Sequence, residues 1–114
     1  MRNRSPITSH VLDISVGHAA KDVEAILLVE KNKGWEQIAK GKTNSDGRIE
    51  DLLAKDFALK AGLYKMVFDT RKYFEKQKSF YPSVEIQFEI VSTEEHYHIP
   101  LLLSPFGYST YRGT

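Results

Sequence analysis

The most regular feature of the chain is an alternation. Val84, Ile86, Phe88 and Ile90 are apolar, and Glu85, Gln87 and Glu89 between them are polar. Successive side chains of a strand point to opposite faces, so this pattern predicts a strand with one face buried and the other in water. Tyr64, Met66 and Phe68 share one face of a second strand that opens after Gly62, while Val67 beside Lys65 makes its other face less uniform. Ile26 to Val29 is apolar at every position, which predicts a central strand or one covered by a partner. Thr8 to Ile14, Trp35 to Lys40 and Tyr97 to Leu103 complete the longer extended stretches. Pro100 lies inside the last of these and has no N–H to give to a ladder, so that strand is expected at a sheet edge or a bulge. Asp46-Gly47 marks a turn between two extended stretches. A single helix is expected, with Thr70 as its cap, Arg71 to Gln77 as its body and Phe80-Tyr81-Pro82 as its end.

Roughly seven or eight short strands punctuated by turns predict an all-β fold, a β-sandwich of two sheets with one short helix. No linker-like tract and no internal repeat divides the 114 residues. One domain over residues 1–114 is therefore expected.

Composition narrows the chemistry. Sixteen Lys and Arg stand against 15 Asp and Glu, a net charge of +1, so there is no general attraction to nucleic acid. Arg71, Lys72, Lys76 and Lys78 read as a solvated helix surface. The longest apolar run, Ala25 to Val29, is far too short to cross a membrane. Met1 to Pro6 carries positive charge with no apolar stretch behind it, so no secretory signal is expected and the expected compartment is the cytoplasm. With no cysteine, disulfides, thiolate nucleophiles and cysteine-ligated metals are all excluded.

Polar chemistry near neutral pH then falls mainly to four histidines, His10, His18, His96 and His98. His96 and His98 are two apart and share a strand face, a spacing that can contribute to a zinc site, but two ligands are not a site and no metal is expected. The ordinary reading of all four is a solvated or structurally hydrogen-bonded histidine. Arg48, after the Asp46-Gly47 turn, is either an exposed strand-start charge or a planar fork for carbonyl and anionic oxygens. Residues 101–114 contain no acidic residue and are rich in small polar ones, while Phe106, Tyr108 and Tyr111 argue against a purely disordered tail. There is no glycine-rich phosphate loop, no Gly-x-Ser-x-Gly and no His-Glu-x-x-His.

Specific motifs go further than periodicity. Tyr97 to Ser109, thirteen consecutive positions reading YHIPLLLSPFGYS, resembles the C-terminal signature of the transthyretin family. His10-Val11-Leu12-Asp13 followed by Gly17 is similar to its N-terminal signature, with Ala19 where the family usually has proline. Thr43-x-x-Asp46-Gly47-Arg48 resembles its middle segment, so the likeness runs from about Ile7 to Thr114. The family divides into hormone carriers and 5-hydroxyisourate hydrolases. Histidine at positions 10 and 98, arginine at 48 and a terminal Tyr-Arg-Gly-Ser mark the hydrolases; this chain ends Tyr111-Arg112-Gly113-Thr114, keeping a hydroxyl and adding a methyl.

The resemblance implies a prealbumin-like sandwich of two four-stranded sheets, assembled as a homotetramer, a dimer of dimers. It implies hydrolysis of 5-hydroxyisourate to 2-oxo-4-hydroxy-4-carboxy-5-ureidoimidazoline in urate breakdown, with no cofactor. His10, His98 and Arg48 would be catalytic: the histidines activate water, with His98 the expected direct base, and Arg48 also binds substrate. Thr114 and Tyr111 would close the site by hydrogen bonds, while Arg112 could serve either as a structural partner or as a substrate ligand. The alternative is a carrier of small ligands without catalysis.

Overall fold

The alternating strands stack as two sheets in the computed structural model, which describes residues 4–114. The first sheet is built on β1 (Ile7–Asp13) and β8 (Tyr97–Ser104), which run parallel. On the far side of β1 lie two short strands at successive levels, β5 (Arg48–Ile49) and β2 (His18–Ala19), and β9 (Gly107–Thr110) folds back antiparallel along β8. The second sheet has the order β4 (Gly34–Lys42), β3 (Glu24–Lys31), β6 (Gly62–Phe68) and β7 (Val84–Ile90), with every neighbour antiparallel. Among the described residues there are thus nine strands rather than about eight, because two of them are only two residues long and carry no periodic signal.

The inner faces follow the alternation. Ile7, Val11, Ile99, Leu101 and Leu103 from the first sheet meet Leu27, Tyr64, Met66, Phe68, Ile86 and Ile90 from the second in one core. Burying a side chain of this size contributes about 1.5–3 kcal/mol. The apolar run at Ile26 to Val29 falls in β3, an interior strand of its sheet, as its lack of alternation implied. None of the described helices is long and apolar enough to cross a membrane.

Two local expectations are corrected. The helix, α1, spans only Thr70–Tyr73, and its cap is Asp69, whose side chain accepts from the Lys72 N–H at 3.1 Å. Thr70 is fully buried instead and donates to the Tyr81 carbonyl. Helical geometry stops early because the next side chains are held by the sandwich. Tyr73 donates to Asp13 at 2.8 Å, and Phe74 is buried in the core, so the chain continues as turns through Gln77.

The strand holding Pro100 is not an edge. It is interior, between β1 and β9. Proline is tolerated because pairing with β9 ends at Leu101–Thr110 and resumes only at an isolated bridge between His98 and Gly113. Within that gap the Pro100 carbonyl takes a side-chain hydrogen bond from Thr110 at 2.6 Å.

Candidate active site

Strand parity places the candidate residues on the outer face of the first sheet. On β1 the odd-numbered positions face the core, so Thr8 and His10 face outward. On β8, Tyr97, Ile99, Leu101 and Leu103 face the core, so His98 faces outward too. Register then sets the neighbours. Thr8 lies opposite His98, and His10 lies opposite Pro100 on one side and Arg48 on the other. The rings of His10 and His98 are consequently diagonal, with centroids 6.4 Å apart.

Arg48 owes its position to the preceding turn. The Asn44 side chain accepts from the N–H groups of Asp46 and Arg48 at 2.9 and 3.0 Å. Gly47 adopts a left-handed φ of 74°, and its carbonyl accepts from Val11 N–H at 2.7 Å. A Cβ on Gly47 would sit 2.5 Å from the Val11 carbonyl oxygen, so glycine is required both for φ and for close approach. Thr43 in the same segment is buried, accepting from Val23 N–H and donating to the Ala20 carbonyl. Asp46, Gly47 and Thr43 thus build the turn that presents Arg48.

The tail completes the face. Gly113 N–H donates to the His98 carbonyl at 2.9 Å, which brings Thr114 over the sheet. A cavity of about 100 Å³ results, lined by Thr8, Arg48, His98 and Thr114 together with Arg4, Ser9, Glu50 and His96. His10 stands beside it, next to His98 and Arg48. Tyr111 does not line this cavity. It faces a separate, larger and mainly apolar cleft of about 280 Å³ between β7 and β8, shared with Phe88, Ile99 and Arg112. Arg112 holds the tail in place: its guanidinium donates to Glu95 at 3.0 Å and to the His96 carbonyl at 3.3 Å, and stacks 4.6 Å over the Tyr97 ring. Of its two possible roles, the structure shows the structural one.

Burial and nearby positive charge disfavour the charged form of His98 and of His10. Burial pulls the pKa of His98 below its ordinary 6.5, and the positive charge of Arg48 lowers it further, with His10, His96 and Arg4 adding in the same direction. For His10 burial again leads and Arg48 follows, while a hydrogen bond to the Asp46 backbone works against them. Two uncharged imidazoles beside a permanent cation can accept a proton from water and stabilise negative charge on a reacting oxygen.

Sequence reasoning missed five of the lining residues, Arg4, Thr8, Ser9, Glu50 and His96. Thr8 bonds both His98 Nδ1 at 2.7 Å and His96 Nε2 at 2.9 Å, so His96 joins the site through a shared hydroxyl. Thr8 shares the β1 face of His10, a parity the strand assignment already contained. Arg4 and Glu50 carried no signal, because their place depends on how the chain enters β1 and leaves β5. His18 stays outside, exposed on β2 with Nδ1 3.0 Å from the Ala19 carbonyl.

Comparison with known proteins follows the same line. The model of the HIUase/Transthyretin family matches residues 7–113. A 5-hydroxyisourate hydrolase of Salmonella dublin is 44% identical over 110 residues, covering 95% of this chain and 80% of the relative. Among solved structures, sea bream transthyretin in complex with thyroxine superposes with a TM-score of 0.88 at 32% identity, covering 96% of both chains. Klebsiella pneumoniae 5-hydroxyisourate hydrolase gives 0.82 at 35%, covering 95% of this chain and 98% of the other. The backbone alone therefore does not separate carrier from enzyme, and the outward-facing side chains must. From the match over nearly its whole length, the chain belongs to the HIUase/Transthyretin family.

Proposed function

We propose that this chain opens the ring of 5-hydroxyisourate with a water activated at His98, and that His10 and Arg48 act beside it. Hydrolase activity in urate degradation follows from full-length relatives of that activity at 36–44% identity. The observation that carries the mechanism is the convergence of His10, Arg48 and His98 on one sheet face, with the tail over them. In the reaction, neutral His98 takes a proton from water as the water oxygen bonds to a ring carbonyl carbon. Charge develops on the carbonyl oxygen, where the Arg48 fork stabilises it. The carbon–nitrogen bond then breaks, and the proton held by histidine passes to the leaving nitrogen. One water is consumed, and the carboxylic acid formed releases its proton to solvent to give the carboxylate. Thr114 closes the cavity from the tail side.

The test is the disappearance of freshly generated 5-hydroxyisourate, followed by absorbance under single-turnover conditions. Addition of the protein should accelerate decay well above the spontaneous rate. Decay at the spontaneous rate would end the hydrolase reading.

The working unit is a homotetramer. Ile14, Val16, Phe106 and Phe80 are each more than half exposed, and β7 and β9 end their sheets with no further strand among the described residues. Apolar exposure of this kind and open strand edges favour association. Light scattering should return four times the 13.1 kDa of one chain, and a monomer at micromolar concentration would refute the assembly.

A further inference from the structure

Thr8 holds a position that the catalytic residues alone do not explain. It is buried, it lies directly across the ladder from His98, and its single hydroxyl contacts two imidazoles, His98 Nδ1 at 2.7 Å and His96 Nε2 at 2.9 Å. A hydroxyl has one proton to donate. With both rings neutral, it can donate to one ring only and must accept from the other. Two arrangements satisfy both contacts. In the first, His98 Nδ1–H donates to Thr8, Thr8 donates to His96 Nε2, and His98 Nε2 carries a lone pair. In the second every donor and acceptor is reversed, and His98 Nε2 carries a proton.

We propose that Thr8 is a positioning residue that sets the tautomer of His98, with His96 as the acceptor that directs the Thr8 proton away from it. The inference rests on the reading of His98 as the base, since only the first arrangement leaves Nε2 able to take a proton from water. The same chain of bonds fixes the ring plane, as second-sphere partners of reactive histidines commonly do. Other charged or titratable groups around this unit are His10 on β1, Arg48 and Glu50 at β5 and Arg4 ahead of β1. Among these the hydroxyl of Thr8 alone bridges the two histidines.

The consequence is a non-additive pair of substitutions. His96→Leu removes the acceptor, so the Thr8 proton turns to His98 Nδ1 and moves the His98 proton to Nε2. A wrong tautomer at a hydrolytic histidine lowers kcat by factors of up to about 10⁴, and a loss of about 10²-fold or more with little change in KM is expected here. Thr8→Val removes the hydroxyl altogether, leaving His98 a mixture of tautomers and costing less. The double variant Thr8→Val/His96→Leu should therefore be faster than His96→Leu alone. Thr8→Ser, which keeps the hydroxyl, should keep the wild-type tautomer.

Imidazole nitrogen NMR of the ¹⁵N-labelled protein, recorded with the histidines neutral, reads the tautomer directly. Protonated Nδ1 at His98 in wild type and protonated Nε2 in His96→Leu is the expected pair. Protonated Nε2 in wild type, an unchanged His98 spectrum in Thr8→Val, or a double variant slower than His96→Leu would each overturn the proposal. Because the spectra do not depend on turnover, an active His98→Ala enzyme would refute the base assignment while leaving Thr8's control of the tautomer to stand or fall on its own.

Discussion

Replacing His98 by Ala should lower kcat on 5-hydroxyisourate by about 10²–10⁴-fold, the range that a positioned general base supplies. The fold should survive. His98 lies on the outer face of its sheet, half-buried, and the core side of β8 is unaffected by the change. Circular dichroism and the unfolding midpoint should stay near wild type while single-turnover decay of substrate slows. A near-wild-type rate in a folded variant would remove His98 from the mechanism. The pH profile adds a sign. The active form is the neutral one, and burial and Arg48 hold both His98 and His10 below the ordinary 6.5. The wild-type kcat/KM should therefore remain level as pH falls through about 6.5 and decline only below it. The same shift opposes stability in acid. Unfolded histidine binds its proton near pH 6.5 and the folded site binds it lower, so stability drops as pH falls through that window. An acid limb centred above 6.5 would show that burial and Arg48 do not govern these rings.

The two histidines and the arginine illustrate what a sequence can carry. Alternation placed β6 and β7 and the core face of each, because one buried face imposes period two on the residues themselves. The motif likeness named His10, Arg48 and His98 without showing how they meet. Their meeting depends on a parallel ladder that sets Thr8 against His98 and on the two-residue strand carrying Arg48. Strand pairing across some ninety positions leaves no periodic trace. The helix is shorter than expected for a related reason: good helix formers at Arg71 to Gln77 set a local preference, and the burial of Phe74 with the Tyr73–Asp13 bond overrides it. The missing N–H of Pro100 points to an edge or a bulge. What decided its place was a gap in the neighbouring ladder at that level. The role of Thr8 was hidden because threonine on a strand is unremarkable until its partners are known.

The second large effect is expected at a residue with no side chain. Gly113 lies against the His98 ring: a Cβ added there would be 2.5 Å from His98 Cδ2, 3.2 Å from His98 Cγ and 3.1 Å from Pro100 Cγ. Carbon atoms pack at about 3.5–4.0 Å, so Gly113→Ala cannot be accommodated where it stands. Pro100 is fixed in an interior strand, and the His98 ring is tied to Thr8 at 2.7 Å. Either the ring tilts away from Thr8, or the tail lifts and the Gly113–His98 hydrogen bond is lost. The first misaligns the base and the second withdraws Thr114 from the cavity. A displacement of about 1 Å at a reacting group can cost about 10²-fold, and a loss of that order in kcat/KM is expected. Stability should change little, because Tyr111, Arg112 and Thr114 are exposed and contribute little to the core. Gly107→Ala is the matched control. Its Cβ would meet nothing nearer than Ser104 Oγ at 3.9 Å, and it should be harmless to both rate and unfolding midpoint. If Gly113→Ala were as active as Gly107→Ala, the tail would not close the site. If instead it unfolded the protein, the tail would belong to the core and not to the chemistry. The expected result, a folded and nearly inactive enzyme, would tie Gly113 and Thr114 to the His98 site through the backbone contact between Gly113 and His98.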